Sequence, residues 1–224
     1  MLILVISDIH GDVSVFQRLA EKTAQAEMVL VCGDLTNFRG KEEAAKVVRQ
    51  LKHFFPKVLA VAGNCDEREV EDYLKEQGLS LHGQARVIEN VGFLGTGFSL
   101  ACPVYTPGEV SEDDFKESLE KAYAQLPEKI PFILVTHQPP YGTKLDLVHS
   151  GQHVGSQFIR NFIEEKKPCL AFCGHIHEAS GEDCLGSSWL FNPGPVRAGG
   201  FISVEIKAGH IQVKEKFFPG KRYF

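Results

Sequence analysis

The sequence predicts a layered α/β fold in which two mixed β-sheets pack between helices. Short apolar runs, each the length of a strand buried on both faces, alternate with segments of helical periodicity. The runs are Leu2–Ile6, Met28–Cys32, Val58–Ala62, Phe132–Val135 and Leu170–Cys173. The helical segments are Val13–Thr23, Lys41–His53, Glu67–Glu76, Ser111–Leu126 and Ser156–Lys166. This β/α alternation is typical of parallel strands covered by helices.

The remaining strand signals point to antiparallel neighbours, which makes the sheets mixed. These strands are predicted at Arg86–Leu94, Ser188–Phe191, Phe201–Ile206 and Ile211–Phe217. Short glycine-containing turns such as Ala208-Gly209 join neighbouring strands, as in hairpins. The stretch Ala101–Gly108, which carries proline and glycine, reads as a long loop.

Length and composition favour one globular domain over residues 1–224. A chain of 224 residues can bury a sizeable core without dividing. The formal net charge is −5, and positive and negative residues are interspersed along the chain without a basic stretch. A main role in nucleic-acid binding is therefore disfavoured. A hydrophobic share of 43% excludes general disorder.

The amino-terminal apolar run does not resemble a targeting signal. It has no charged lead-in and ends before Asp8, and no segment of the sequence approaches the ~20 apolar residues of a membrane span. The six cysteines include no Cys-x-x-Cys pair, so reduced thiols are expected rather than disulfides or a zinc knuckle. We therefore expect a cytoplasmic protein without membrane association.

Potential metal ligands follow each of the five apolar runs within a few residues. They are Asp8, His10, Asp34, Asn64, His137, His175 and His177. One such residue alone would most simply be a turn, a cap or a structural histidine. In α/β sheets, however, ligands bind beyond the carboxyl ends of the strands, so the seven side chains are expected to converge on one site.

The motifs around these residues resemble those of the calcineurin-like metallophosphoesterases. In chain order they are Asp8-Ile9-His10, Gly33-Asp34, Gly63-Asn64-Cys65-Asp66, Thr136-His137 and Gly174-His175-Ile176-His177. Both Cys65 and the later Asn192-Pro193-Gly194 are similar to the small bacterial and archaeal phosphodiesterase-like branch of that family. The joint occurrence of the motifs, in order, makes the resemblance specific.

The resemblance implies a four-layer αββα sandwich with two metal ions between its sheets. It assigns three side chains to the first ion: Asp8, His10 and His177. It assigns three to the second ion: Asn64, His137 and His175. Asp34 would bridge the two ions, and Asp34, Asn64 and His137 would take part directly in catalysis. The implied substrate is a small-molecule phosphoester, either a phosphodiester or a nucleotide-like compound.

The chemistry of these ligands agrees with that assignment. Each ion would receive two imidazoles together with oxygen ligands, a mixture that suits Mn, Fe, Co, Ni or Zn better than Ca. Two divalent ions, the carboxylates of Asp8 and Asp34 and one bridging hydroxide leave a formal charge of about +1, which attracts phosphate. The hydroxide is the expected nucleophile, so no protein nucleophile is required.

The proton donor to the leaving group is less clearly marked. Cys65 stands where many members of the family have a histidine, and a thiol with a pKa near ~8.5 is a poor general acid beside an imidazole. It is equally well read as a small buried hydrophobe. His149 and His153 flank the flexible segment Ser150-Gly151-Gln152 and are the other candidates, either as the acid or as ligands of the phosphate, with a plain surface loop as the alternative.

Several polar residues near the motifs have simple structural interpretations. Asp66 and Glu69 have the spacing of a helix capping box, with a hydrogen bond from Asp66 to His10 as the alternative. Asp12 is expected to cap the first helix. His82 is expected at the surface, as are His53 and His210.

Three functions remain compatible with the sequence. A metal-dependent phosphoesterase fits best, because every ligand position is filled. A non-catalytic scaffold of the same fold, like the retromer subunit that resembles this branch, predicts lost ligands. A nuclease acting on long DNA would need a further nucleic-acid-gripping domain, and the negative charge opposes it. The sequence does not indicate an oligomeric state or a particular substrate.

Overall fold

The computed structural model describes residues 1–23 and 26–219, which form strands and helices in alternation through most of the chain. The strands are β1 (Leu2–Ile6), β2 (Met28–Cys32), β3 (Lys57–Val61), β4 (Ala85–Ile88), β5 (Val91–Thr96), β6 (Phe132–Thr136), β7 (Leu170–Phe172), β8 (Gly181–Leu185), β9 (Ser188–Asn192), β10 (Phe201–Lys207) and β11 (His210–Phe217). The helices are α1 (Phe16–Lys22), α2 (Lys41–Phe54), α3 (Arg68–Glu76), α4 (Glu112–Tyr123) and α5 (Gln157–Lys166). Two short 3₁₀ turns lie at His177–Ala179 and Val196–Ala198.

The strands form two mixed sheets, as the sequence predicts. The first sheet has the order β11-β10-β1-β2-β3, with β1, β2 and β3 parallel and the β10–β11 hairpin antiparallel to β1. The second sheet has the order β4-β5-β6-β7-β9-β8, with four parallel central strands and an antiparallel strand at each edge. The parallel strands are buried on both faces, which explains their unbroken apolar sequences.

Three apolar clusters define the four layers. On β1, Leu4 and Ile6 face outward and pack with residues of α1, α2 and α3, whereas Ile3 and Val5 face the second sheet. On the other side of the molecule, residues of the second sheet such as Leu134 pack against α4 and α5. The αββα sandwich is therefore confirmed. That residues 1–224 form one domain stays a prediction.

The exits of the parallel strands from both sheets lie at one end of the sandwich. The backbone N–H of Asp8 donates to the carbonyl of Gly33 at 3.2 Å, and that of His10 donates to the carbonyl of Asp34 at 2.9 Å. In the second sheet, the N–H of Gly174 donates to the carbonyl of His137 at 3.0 Å. These bonds tie the turns that carry the predicted ligands to one another.

The strand predicted at Arg86–Leu94 was wrong, because it is a hairpin. The chain reverses at Glu89 and Asn90, whose φ angles are 51° and 60°. Two successive residues with positive φ are typical of the tight turn that joins antiparallel strands. The sequence pattern does not predict strand β8, because Gly181–Leu185 carries charged residues and lacks an apolar alternation.

The first helix begins later than predicted, and Asp12 does not cap it. Its N-cap is Val15, which has no side-chain cap hydrogen bond. Oδ1 of Asp12 instead accepts hydrogen bonds from the N–H and the hydroxyl of Ser14, so Asp12 stabilises the turn before the helix. No helix among residues 1–23 and 26–219 has the length and apolarity needed to cross a membrane.

His82 was wrongly predicted to lie at the surface. Its ring packs edge-on against Phe98, and its Nδ1 accepts a hydrogen bond from the N–H of Gly97 at 3.0 Å. Burial and the nearby charge of Lys75 lower the pKa of His82 to about 4. The imidazole is therefore neutral and holds the exit of β5.

A buried carboxyl group on α3 generates a stability prediction. Glu71 is 3% exposed, accepts a hydrogen bond from the hydroxyl of Ser80, and leaves Oε2 without a partner. Burial raises the pKa of Glu71 to about 7, although Ser80 and Lys75 oppose the shift. The wild-type protein therefore loses stability as the pH rises from the unfolded-state pKa of Glu71 through its folded-state pKa.

Replacing Glu71 by glutamine should stabilise the protein, and more so at about pH 8 than at about pH 5. Glutamine resembles the protonated acid and does not ionise. Near pH 8 the free energy of unfolding should therefore rise by up to about 3 kcal/mol relative to the wild-type protein. Urea unfolding at several pH values measures it. The exposed Glu69→Gln on the same helix is the control, and a gain independent of pH would contradict the buried ionisation.

Candidate metal centre

Four of the seven predicted ligands lie on strained backbone. The φ angles are 55° at Asp8, 49° at His10, 52° at Asp34 and 70° at His175. A non-glycine residue in this left-handed region costs about 1–3 kcal/mol and persists only where the surroundings enforce it. The strain turns these side chains back from the strand ends toward the space between the two sheets.

Two glycines allow the turns to approach one another closely. A Cβ on Gly63 would overlap Oδ1 of Asp34, and a Cβ on Gly174 would overlap the hydroxyl of Ser7 next to Asp8. Only glycine fits where another chain segment occupies the Cβ position. The glycines in the Gly-Asn and Gly-His motifs thus have a steric role in assembling the site.

The first group of ligands consists of Asp8, His10 and His177. Their candidate ligand atoms all lie within 4.8 Å of one another. Nε2 of His177 is 3.4 Å from Nε2 of His10 and 3.4 Å from Oδ1 of Asp8. The three side chains therefore surround one position at the exits of β1 and β7.

Asp34 lies between this group and the rings of the second sheet. Its Oδ2 is 3.7 Å from Nε2 of His10, and its Oδ1 is 3.5 Å from Nε2 of His137. Asp8, Asp34 and His137 form a further group within the same 4.8 Å limit. One carboxylate oxygen thus faces each side, which is the arrangement that a bridging ligand needs.

The orientation of His137 supports a metal on the second side. Its Nδ1–H donates to the carbonyl of Cys32 at 2.8 Å, so Nε2 carries a lone pair. That lone pair faces Oδ1 of Asn64, also at 2.8 Å, while Nδ2 of Asn64 is directed to the sulfur of Cys65. Two acceptors at this distance repel each other unless a cation binds both.

His175 joins the second side through its ring and its backbone. The ring centroids of His137 and His175 are 5.1 Å apart, and the N–H of His175 donates to Oδ1 of Asp8 at 3.2 Å. His175 does not fall within either of the two compact groups of candidate ligand atoms described above. The structure thus brings together all seven predicted side chains, with His175 at the margin of the cluster.

Buried polar atoms without partners show that the residues fit divalent metal ions. Oδ2 of Asp8 and Nδ1 of His10 are buried and have no hydrogen-bond partner among the described residues. An unpaired buried carboxylate oxygen is costly unless a cation compensates it. Mixed imidazole, carboxylate and amide donors are also those that divalent transition metals accept.

The histidines of the site are mostly prepared for coordination. Burial lowers the pKa of His10 to about 4 and that of His175 to about 3, and it also lowers the pKa of His137. For His177, burial acts in the same direction, but the hydrogen bond and charge of Asp8 outweigh it and raise the pKa. Neutral imidazole is the form that binds a metal ion, and three of the four rings favour it.

The carboxylates show the electrostatic cost of the cluster. Burial raises the pKa of Asp34 well above its usual value, and the neighbouring charges of Asp8 and Asp66 raise it further. Burial alone would also raise the pKa of Asp8, but the hydrogen bond and charge of His177 hold it below its ordinary value. Bound cations would favour the ionised form of both carboxylates.

Asp66 was wrongly predicted to be a helix cap. It is buried, and its carboxylate binds the backbone turns that carry the site. The N-cap of α3 is Glu67, and no side-chain cap bond is present. The carboxylate of Asp66 accepts hydrogen bonds from the backbone N–H groups of Leu35, Thr36 and Gly63. It therefore holds the exits of β2 and β3 together, just beyond Asp34 and Asn64.

The three candidate proton donors lie in different environments. Cys65 is 8% exposed, and its backbone N–H donates to Oδ1 of Asp34 at 2.8 Å. Burial and the charge of Asp34 raise the pKa of its thiol. His153 pairs with the buried Asp146 at 2.8 Å, whereas His149 is exposed and its Nε2 lies 4.0 Å from Glu178, the neighbour of His177.

Two residues near the cluster were not singled out from the sequence. The sulfur of Cys102, in the loop predicted at Ala101–Gly108, lies 3.8 Å from Nε2 of His175. Arg197 follows the Asn192-Pro193-Gly194 motif, and its charge lowers the pKa of His10 and opposes the rise at His177. The position of Arg197 three residues after that motif was the available signal, whereas nothing in the sequence around Cys102 marks it.

Comparison with known proteins agrees with this geometry. The family model of the calcineurin-like phosphoesterase superfamily domain matches residues 1–209. The protein MJ1162 of Methanocaldococcus jannaschii is 36% identical over 199 residues, which are 87% of this chain and 88% of the relative. The chain belongs to the calcineurin-like phosphoesterase superfamily, whose members are generally metal-dependent phosphoesterases.

Solved structures share the fold. The protein TT1561 of Thermus thermophilus has a TM-score of 0.70 at 20% identity, over 95% of this chain and 97% of that one. A dimetal phosphatase from Danio rerio has a TM-score of 0.60 at 11% identity, over 91% and 92% of the two chains. The phosphopantetheinyl hydrolase PptH of Mycobacterium tuberculosis has a TM-score of 0.57 at 16% identity, over 87% and 90%.

The metal content of variants tests the central position of Asp34. We expect two transition-metal ions per chain in the wild-type protein and at least one fewer in Asp34→Asn, because this carboxylate faces both ligand groups. Elemental analysis of protein purified without chelator measures the ratio. Asp72→Asn, an exposed change on α3, should keep both ions. Equal metal content in the wild-type and Asp34→Asn proteins would contradict the assignment.

Proposed function

We propose that the protein is a metal-dependent phosphoesterase with two metal ions at one site. The observation that carries this proposal is the position of Asp34, with one oxygen toward His10 and the other toward His137. A first ion would be held by Asp8, His10 and His177, and a second by Asn64, His137 and His175. Mn, Fe, Co, Ni or Zn would suit these donors.

The residues of this chain prepare the site in two ways. The Cys32 carbonyl fixes the tautomer of His137, so the lone pair of its Nε2 is available on the side of Asn64 and Asp34, where the second ion would bind. Asp66 fixes the backbone that carries Asp34 and Asn64. When bound, two divalent ions supply Lewis acidity, a hydroxide at neutral pH, and a clamp for the phosphoryl oxygens.

Proton donation to the leaving group is the weakest step for this chain. A buried thiol with a raised pKa holds its proton too firmly to act as a good acid, so Cys65 is a poor substitute for an imidazole. Nε2 of His149 lies 4.0 Å from the carboxylate of Glu178, the residue that follows the proposed ligand His177, whereas His153 is paired with Asp146. We propose that activated esters, whose leaving groups need little protonation, are hydrolysed best.

A phosphodiester or a nucleotide-like small molecule is the proposed substrate class, and a cytoplasmic location is proposed with it. The fold neighbours described as a dimetal phosphatase and a phosphopantetheinyl hydrolase support hydrolysis of phosphoesters. A non-catalytic scaffold is disfavoured, because none of the seven ligand positions is lost. A nuclease is disfavoured by the net charge of −5.

Hydrolysis of bis(4-nitrophenyl) phosphate with added Mn tests this function. The wild-type protein should be active, and His175→Ala and His137→Ala should each lose at least about 100-fold, because each removes a ligand that positions the second ion. Release of 4-nitrophenol measures the rate.

His210→Ala provides the matched control, since His210 is exposed at the start of β11 and far along the chain from the ligand motifs. Circular dichroism should show that all variants are folded. A folded, metal-loaded wild-type protein that hydrolyses no phosphomonoester, diester or pyrophosphate would favour the scaffold function instead.

A further inference from the structure

The segment that follows β9 is docked onto both ligand-bearing turns of the first group. The N–H of Val196 donates to the carbonyl of Ser7 at 3.0 Å, directly before Asp8. The side-chain amide of Asn192 donates to the carbonyl of Ile176 at 2.9 Å, directly before His177. The 3₁₀ turn at Val196–Ala198 is thus fixed at the rim of this side of the site.

Arg197 lies in this anchored turn and has a free guanidinium group. Its neighbour Val196 is completely buried, whereas Arg197 itself is exposed. Within the described residues, 1–23 and 26–219, it makes no hydrogen bond, ion pair or cation–π contact, although many exposed lysines and arginines do. Pro195, two residues before Arg197, pairs with Ser7 in an isolated parallel bridge, so the turn that carries Arg197 lies directly beside the Asp8 turn of the first ligand group.

We propose that Arg197 is a substrate-binding residue that donates to phosphoryl oxygens on the His10 and His177 side and makes the site selective for dianionic phosphate groups. This inference rests on the proposed function, since it assumes that a phosphoester occupies the site. The planar guanidinium can donate two parallel hydrogen bonds to a phosphate, which an ammonium group cannot do in the same geometry.

The charge balance favours a dianion over a monoanion. The metal-loaded site carries a formal charge of about +1, and Arg197 adds one positive charge at its rim. A phosphomonoester dianion balances both charges, whereas a phosphodiester monoanion leaves one uncompensated. Nucleotide-like compounds with a terminal phosphate group are therefore the preferred substrates within the proposed class.

Binding of inorganic phosphate to the Mn-loaded protein tests the proposal without turnover. At about pH 8, where phosphate is mainly dianionic, Arg197→Gln should weaken its affinity by about 10-fold to 100-fold, because a charge-assisted bond is lost. The phosphate affinity of Arg197→Lys should lie between those of this variant and the wild type, since lysine keeps the positive charge but lacks the two parallel N–H donors of the guanidinium. Isothermal titration calorimetry measures the dissociation constants.

Steady-state kinetics test the selectivity. Arg197→Gln should raise the KM for 4-nitrophenyl phosphate by at least about 10-fold and that for bis(4-nitrophenyl) phosphate by less than about threefold. Arg49→Gln, an exposed change on α2, is the matched control and should leave phosphate affinity and both KM values unchanged. An equal rise for the two esters would overturn the selectivity for dianions.

The failure of this inference is distinguishable from that of the proposed function. If the wild-type protein binds two ions and phosphate, and Arg197→Gln binds phosphate within twofold of it, the role of Arg197 is overturned while the metal centre stands. If elemental analysis finds no metal in the wild-type protein, the proposed function and this inference fall together. If phosphate binding depends on Arg197 but the wild-type protein hydrolyses no phosphoester, the result would support the anion-binding role of Arg197 and contradict the proposed enzymatic activity.

Discussion

The burial of two carboxylates beside each other is the constraint on which the rest of the site depends. Asp8 is fully buried and Asp34 is 2% exposed, and their ligand atoms share one cluster with that of His137. Like charges at this distance, away from water, oppose each other's ionisation. Bound divalent cations would remove this conflict, because both carboxylates would then be attracted to the same positive charge.

The surrounding structure serves to hold these carboxylates in place. The left-handed turns at Asp8 and Asp34 aim the side chains, Gly63 and Gly174 allow the close approach of neighbouring segments, and Asp66 ties two strand exits together. All of this lies at the end of a sandwich whose two sheets are firmly packed. Strain at the site is tolerated because the rigid layers leave the turns no better conformation.

Sequence patterns predicted the fold and the convergence of the seven proposed ligand side chains, because both depend on strong local signals. Runs such as Leu2–Ile6 are apolar on both faces, and motifs such as Gly174-His175-Ile176-His177 follow them at once. The start of α1 and the Glu89–Asn90 turn were missed, because they depend on backbone angles that several residue types can adopt. The role of Asp66 could not be predicted either, since its three backbone partners come from turns that meet only in the fold.

Anomalous diffraction from crystals grown with Mn tests the central claim most directly, because it locates the ions without any assumption about activity. Two anomalous peaks are expected, one among Asp8, His10 and His177 and the other among Asn64, His137 and His175, with Asp34 in contact with both. The absence of peaks from this cluster in a Mn-saturated crystal, or a peak on one side of Asp34 only, would contradict the dinuclear centre.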